Sequence, residues 1–386
     1  MPEYLEYQEK IWNWQQIDWP NFSFDMSKLE LFEKQFLHES GLLLGAFQHI
    51  ESEDKQTWMI EALSQEALKS SEIEGEILNR ESLRSSIARC FGLIPEASFS
   101  SGHPKIGAAE AGMAQMMHHL YQTYQAPLTH EQLFDWHLML TGSRRDLYQV
   151  GAYRIHSEPM QIVSGAGAYT GSIRGVRVHF EAPPSDKVPE EMTQFIQWFN
   201  QSEKSLPCLT RAGIAHLFFV SIHPFEDGNG RIARALALKA ILQCLKEPVL
   251  IALSQTIGAH RKKYYEQLDH NNKSLNISNW LIYFSEVILT AREKAQELIE
   301  FLIFKAKLYH AHKDDLNTRQ LKVLNRLFAN GPAGFEGGLS AEKYVAIAQT
   351  SRATATRDLQ ELVEKKILYK TGALKGTRYY LSITPA

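Results

Sequence analysis

The densest chemistry in the chain lies in one stretch, His223-Pro224-Phe225-Glu226-Asp227-Gly228-Asn229-Gly230-Arg231-Ile232-Ala233-Arg234. The apolar run before it, TRAGIAHLFFVSI, reads as a helix that Pro224 stops, and Gly228-Asn229-Gly230 makes a tight turn into a second helix. Such a turn aims several backbone N–H groups and the positive end of a helix dipole at one spot, where an anionic phosphate is the natural guest. Arg231 and Arg234 share one face of the second helix and can clamp further phosphate oxygens bidentately. Asp227 is a hard oxygen ligand suited to a Mg²⁺ that also touches phosphates. His223 stands at the other lip of the loop and is the side-chain type best able to take a proton near neutral pH. Taken singly, each residue has a plainer account as a helix cap, an ordinary turn or a solvated arginine. Together they supply base, metal ligand, anion nest and cation clamp, a combination that points to nucleotide chemistry.

A largely helical frame must position that loop. Apolar residues recur at spacings of three and four through VPEEMTQFIQWFNQS, ARALALKAILQCL and ISNWLIYFSEVILTAREKAQELIEFLIFKAKLYHAH, the period of a helix, so the expected fold class is mainly α. Residues 151–184 break the pattern. They are glycine-rich, alternate at Val176, Val178 and Phe180, and close on Pro183-Pro184, which predicts a β-hairpin or extended flap ending at a rigid turn. Ahead of the frame, Trp12, Trp14 and Trp19 precede a turn at Pro20-Asn21 and are expected to anchor a small helical region by core packing.

The stretch from His223 to Arg234 resembles the signature HPFx(D/E)GNGRxxR of the Fic family, the protein adenylyltransferases, at every fixed position. The similarity takes in the flap and the helices around it. It implies a Fic-type helical core in which a Ser, Thr or Tyr hydroxyl of a target protein attacks the α-phosphate of ATP and keeps AMP. It also implies His223 as the base, Asp227 holding Mg²⁺, Gly228, Asn229 and Gly230 on the α-phosphate, Arg231 on the β-phosphate and Arg234 on the γ-phosphate. Those residue types can supply the in-line geometry and charge stabilisation that the reaction needs.

Upstream, Ser70-Ser71-Glu72-Ile73-Glu74-Gly75 is similar to the family's autoinhibitory motif (S/T)xxxE(G/N). The resemblance implies that Glu74, in the motif opened by Ser70, pairs with Arg234 and blocks the γ-phosphate position. A carboxylate there would both remove a phosphate contact and repel the phosphate. Downstream, the segment from Arg261 to Asn272 looks like the family's tyrosine pair and later asparagine, which would bring Tyr264, Tyr265 and Asn272 near the adenine and ribose; tyrosines at helical spacing also serve as core. The flap strand, residues 176–180, would register the target by strand pairing. The glycine-rich stretch 163–175 departs from the family pattern and leaves target choice open. Self-modification is a further expectation, and the inhibitory helix and exposed helices suit a homodimer whose interface the sequence does not set. Two other readings use the same residues: removal of AMP from a protein or transfer of another nucleotide, and a DNA-binding regulator that uses the core as a nucleotide sensor.

Composition narrows the setting. With 386 residues, 44% hydrophobic and 22% charged, the chain reads as a globular protein of two or three domains, which excludes long disorder and a fibrous fold. A net charge of −3 gives no overall basic field to draw it onto nucleic acid or an anionic membrane. Cys90, Cys208 and Cys244 are odd in number and lack C-x-x-C spacing, which argues against a disulfide framework or zinc site and for a reducing cytoplasm. No long apolar run predicts a membrane span, and the acidic start MPEYLEYQEK predicts no signal peptide. Charge is uneven, however. Residues 317–386 hold 11 Lys and Arg against 5 Asp and Glu, a net +6 that leaves −9 for residues 1–316. Three helical segments followed by YKTGALKGTRYYLSI give winged-helix order, with Ser351 as N-cap of the helix over 351–365 in the recognition position. Docking to protein or contact with DNA are both open to it, because Arg352, Arg357 and Lys365 are interleaved with Asp358, Glu361 and Glu364. The expected divisions are an N-terminal helical region over 1–55 and a core over 56–300, with an inhibitory helix at about 57–78 and the flap at about 151–184. A helical linker over 301–316 and a winged-helix-like domain over 317–386 complete them.

Overall fold

The computed structural model describes residues 11–48, 52–92, 107–164, 177–248, 251–312, 315–328, 330–331, 334–335 and 337–382. Among them the chain is mainly α, with two small antiparallel sheets. It divides into two compact units, residues 1–42 with 56–292 and residues 43–55 with 293–386.

The first unit is built on α7 (Cys208–Ile222) and α8 (Asn229–Leu245), whose residues are almost all buried. They are buried on every side, charged residues such as Arg211, Arg234 and Lys239 included, and form the hairpin that carries the site. Around them lie α3 (Arg80–Cys90), α4 (Ala108–Thr123), α5 (His130–Thr141), α6 (Val188–Gln201), α9 (Leu253–Ala259), α10 (Arg261–Asn271) and the first turns of α11 (Ser278–Ala311). Phe195 of α6 meets Phe218 of α7 edge to face at 5.2 Å, an arrangement that fixes ring geometry beyond simple burial.

The N-terminal segment is part of this unit. Pro207 offers α7 no side-chain cap, and Glu33 of α1 (Glu30–Gln48) replaces it: its carboxylate accepts the N–H groups of Leu209 at 3.0 Å and Thr210 at 2.8 Å. A negative charge at that end also suits the helix dipole. Buried Asn13 donates from Nδ2 to Ser221 Oγ at 2.8 Å and from its backbone N–H to the Asn272 carbonyl at 2.8 Å. The tryptophans do pack, and two of them pack on the flap. Trp12 meets Phe180 edge-on at 5.4 Å, and Trp14 Nε1 donates to the Glu181 carbonyl at 2.6 Å. Trp19 turns the other way, donating to Glu191 at 2.8 Å and lying edge-on to Phe218.

The flap is a hairpin of β1 (Gln161–Ser164) and β2 (Arg177–Glu181), pairing Gln161 with Glu181 and Ser164 with Arg177 across a bulge after Ile162. Val176 and most of the glycine-rich stretch, residues 165–175, lie outside the described residues. In the second unit, α12 (Thr318–Phe328), α13 (Ala341–Ala348) and α14 (Arg352–Glu364) are followed by β3 (Leu368–Thr371) paired with β4 (Arg378–Leu381), and Leu339 bridges Tyr379 beside them. Ser340 and Ser351 cap α13 and α14, each hydroxyl accepting an N–H three residues on at 3.2 Å. Val323, Leu324, Tyr344, Leu359 and Leu362 fill the centre of this unit. Asp358 is buried there between Arg319 Nε at 2.9 Å and the Tyr344 hydroxyl at 3.0 Å, so it belongs to the interior and not to an outer face of α14. Among the described residues no helix is long and apolar enough to cross a membrane.

Candidate active site

The loop between α7 and α8 is a closed frame. His223 caps α7 in the left-handed region, at φ 51° and ψ 58°, and Gly228 enters α8 at φ 84°. Asn229 locks the turn between them: its Oδ1 accepts the Phe225 N–H at 3.0 Å and its Nδ2 donates to the Phe225 carbonyl at 2.7 Å. The Asn229 side chain is thus committed to the loop itself, and what the turn offers a guest is the start of α8, whose first amides have no acceptor within the helix. Glu226 fastens the outside, accepting the N–H groups of Tyr148 at 2.8 Å and Gln149 at 3.0 Å.

Asp227 lies at the front of the turn. Burial opposes its charge, but Arg231, the Gly228 amide and Arg144 outweigh that and hold its carboxyl below the usual carboxylate range. Its Oδ1 accepts the Gly228 N–H at 2.6 Å, and its Oδ2 faces Arg144 at 2.8 Å and Arg231 at 3.3 Å. One ionised carboxylate fits a Mg²⁺ that takes the rest of its shell from phosphates and water. Among the described residues no group of three His, Cys, Asp or Glu side chains would cage a metal by itself.

Opposite the turn, helix α2 (Ser52–Ile73) delivers Ser70 and Glu74 to Arg234, which is 1% exposed. Arg234 donates from Nη1 to Glu74 Oε1 at 2.7 Å, from Nε to Ser70 Oγ at 3.0 Å and from Nη2 to the Ser70 carbonyl at 2.7 Å. All three guanidinium nitrogens are therefore taken. The Glu74 carboxylate also covers the mouth of α8, since a Cβ built on Gly230 would stand 2.1 Å from Glu74 Oε1. Only glycine leaves room there for an anion, and in this state the anion is Glu74 itself.

The helix ends where it does because of Gly75. The Gly75 N–H bonds the Glu72 carbonyl and the Glu76 N–H bonds the Ser71 carbonyl, both at 3.0 Å, with Gly75 at φ 86°. This is a Schellman cap, which demands the left-handed residue that glycine supplies without strain. It stops α2 at Ile73, short of the expected 78, and turns the chain so that Glu76 Oε2 reaches Arg231 Nη1 at 2.5 Å.

His223 is half-buried, with Nδ1 placed 3.3 Å from the Val220 carbonyl. Burial, with Arg154 nearby, pushes its imidazole down to about 4, so at neutral pH it is unprotonated and able to accept a proton. Arg154 is a contact of the loop that spacing did not reveal. It is 1% exposed and donates from Nε to the His223 carbonyl at 2.8 Å and from Nη2 to the Pro183 carbonyl at 2.5 Å, tying the catalytic loop to the end of the flap. Arg144 was missed for the same reason. Neither arginine lies at a motif spacing, and each meets the loop only through long-range folding.

The downstream residues have mixed placements. Tyr265 donates from its hydroxyl to the Ile73 carbonyl at 3.1 Å, beside the end of α2. Tyr264 is buried with its hydroxyl 3.0 Å from His216 Nε2. Asn272 donates to the His179 carbonyl at 3.0 Å and so supports β2 of the flap.

Three neutral histidines make this unit acid-sensitive. Burial holds His137 at about 4, His216 at about 3 and His223 at about 4, whereas an unfolded histidine titrates near 6.5. The unfolded chain therefore takes up protons first, and the stability these groups confer is complete above pH 6.5 and lost as pH falls toward 4. Buried Glu66, raised to about 7, works the other way, since the fold prefers it protonated. Three protons against one leave a net slope of roughly 2 kcal/mol per pH unit near pH 5 to 6. Melting curves at pH 7 and pH 5 should differ by many degrees; equal midpoints would contradict the assigned neutral states.

Residues 127–241 match the Fic/DOC family, and residues 12–93 match a domain of unknown function, DUF4172. Similar proteins include Protein adenylyltransferase Fic of Nematostella vectensis, 31% identical over 118 residues that cover 30% of this chain and 25% of that protein. Protein adenylyltransferase fic-1 of Caenorhabditis briggsae is 32% identical over 102 residues, covering 25% of this chain and 19% of that one. The chain thus spans a quarter or less of the length of these curated relatives. A solved Fic family protein from Desulfovibrio desulfuricans is similar at 19% identity and a TM-score of 0.51, covering 95% of this chain and 99% of its own. A Fic domain containing signaling protein from Bacteroides thetaiotaomicron is similar at 20% identity and 0.51, covering 69% and 95%. These likenesses show a Fic-type fold, and the Fic/DOC match covers residues 127–241 of the chain.

Proposed function

We propose that the chain is a protein adenylyltransferase held at rest by Glu74. The observation that carries this reading is the pairing of a complete nucleotide loop, from His223 to Arg234, with a carboxylate lying on the arginine and helix mouth that a nucleotide would need. The named relatives support AMP transfer as the reaction class.

In this reading a Ser, Thr or Tyr hydroxyl of a target, aligned along the flap, approaches the α-phosphate of ATP. His223 removes the hydroxyl proton as the oxygen bonds to phosphorus, the bond to the bridging oxygen of the β-phosphate breaks, and pyrophosphate leaves. The amides opening α8 stabilise charge on the α-phosphate, Arg231 takes the β-phosphate and Arg234 the γ-phosphate. Mg²⁺ supplies charge neutralisation between the phosphates, and Asp227 would hold it. Residues 317–386 are read as a winged helix whose exposed Arg352 and Arg357 on α14 suit contact with DNA or a partner protein.

The identity of the transferred group tests the proposal. The Glu74→Gly protein, incubated with Mg²⁺ and ATP labelled at either the α- or the γ-phosphate, should pass only the α label to itself or to target protein. Transfer of the γ label would make the enzyme a kinase. No transfer of either label, with loss of AMP from a pre-modified protein by the wild type but not by Glu74→Gly, would favour removal of AMP with Glu74 orienting the water.

A further inference from the structure

We infer that Glu76 is a second carboxylate of the latch, holding Arg231 as Glu74 holds Arg234, so that the resting site turns away the β-phosphate as well as the γ-phosphate. The inference rests on the proposed nucleotide reading of the loop and concerns which phosphates the resting protein admits.

The geometry comes from two turns facing each other. On α8, Arg231 and Arg234 stand three residues apart on one face. On the chain leaving α2, the Schellman cap sets Glu74 and Glu76 on either side of Gly75, and each carboxylate meets a different arginine. The contacts differ in kind. Arg234 is held by Ser70 as well as Glu74, whereas Arg231 is held by Glu76 at 2.5 Å and Asp227 at 3.3 Å. Arg231 is 3% exposed and its Nε has no hydrogen-bond partner among the described residues. A buried guanidinium donor left in that state awaits an acceptor, and a phosphate oxygen is of the right kind.

A β-phosphate could reach the open Nε alone, but to clamp it bidentately Arg231 must also give up one of its two carboxylates. Asp227 is fixed by the Gly228 amide and by Arg144, and it is also the residue suited to the metal, so Glu76 is the one that yields. Glu76 is 31% exposed and lies on chain outside the helix, free to swing toward solvent.

Calorimetric titration of AMP, ADP and ATP, each with Mg²⁺, into wild type, Glu76→Gln and Glu74→Gly separates the two carboxylates. Glutamine keeps the size of the side chain and leaves the backbone cap intact. Glu76→Gln should tighten ADP about tenfold, within the usual range of site-to-site coupling, and leave AMP unchanged. Glu74→Gly should tighten ATP more than ADP. If Glu76→Gln leaves ADP affinity unchanged, or tightens AMP as much as ADP, while Glu74→Gly still tightens ATP, the role of Glu76 is overturned and the nucleotide reading stands. Failure of all three proteins to bind any of the nucleotides overturns both.

Discussion

Replacing Glu74 by glycine should raise AMP transfer by about a hundredfold, the upper range of ordinary coupling between two sites, and adding His223→Ala should abolish the gain. The first half follows from what Glu74 holds. It takes Nη1 of an arginine that is 1% exposed, and it lies against Gly230 at the mouth of α8, so one carboxylate closes both the cation clamp and the anion nest. Removing it leaves Ser70 still ordering Arg234 through Nε and Nη2, with Nη1 released toward the phosphate. The guanidinium is thereby preoriented, not merely freed. The second half follows from the proposed role of His223, since loss of a positioned base costs roughly 10² to 10⁴ in rate. Its imidazole, held at about 4 by burial and Arg154, sets the pH dependence. Labelling by Glu74→Gly, taken per folded molecule, should be flat from pH 6 to 8 and fall only as pH approaches 4. Glu74 itself favours the protonated imidazole, so its removal cannot push that acid limb upward. An acid limb near 6.5, or undiminished labelling after His223→Ala, would sink the assignment of His223 as base.

Much of the site was legible because it is local. Helix, turn and helix are fixed by Pro224 and Gly228 within a few residues, and the two arginines share a face by helical spacing alone. The end of α2 is also a local matter, yet the expected helix ran past it. Acidic residues on both sides of Gly75 continue the helical composition, whereas the backbone at φ 86° stops the helix there. The long-range partners had no local signature. Glu33 caps α7 from 176 residues away, and Trp14 reaches the flap across 167, distances over which periodicity carries no information. Aromatic residues near the N-terminus were readable as packing residues; that they brace the flap follows only from the fold.

Arg154 shows what such a hidden contact does for chemistry, and its replacement by methionine should reduce turnover about a hundredfold while barely changing the KM for ATP. A buried guanidinium with no carboxylate partner among the described residues is costly, and burial lowers it to about 10, so it stays charged at neutral pH. What it gains is a fork of donors to the carbonyls of Pro183, Ile222 and His223 and to the Ser185 hydroxyl. Two of those carbonyls belong to the turn in which His223 adopts its left-handed backbone, and Pro183 closes the flap. In the proposed reaction Arg154 would therefore act as a positioning residue, fixing His223 relative to the strand that would present the hydroxyl, where a misplacement of about 1 Å costs roughly 10² in rate. Methionine fills the space but leaves the carbonyls unpaired, at about 1–3 kcal/mol for each that water does not reach, so a lower melting temperature is expected too. Stability alone does not distinguish the roles, but the pH profile does. In the Glu74→Gly background, Arg154→Met removes a positive charge that helps hold the imidazole down, so the acid limb should rise from about 4 but stay below 6.5, because burial, the larger cause, remains. Arg154→Lys keeps a charge without the fork, and should hold the limb low while turnover still falls. A structural brace would lower the folded fraction in both variants with an unshifted limb and normal turnover per folded molecule, and that result would remove Arg154 from the positioning of His223.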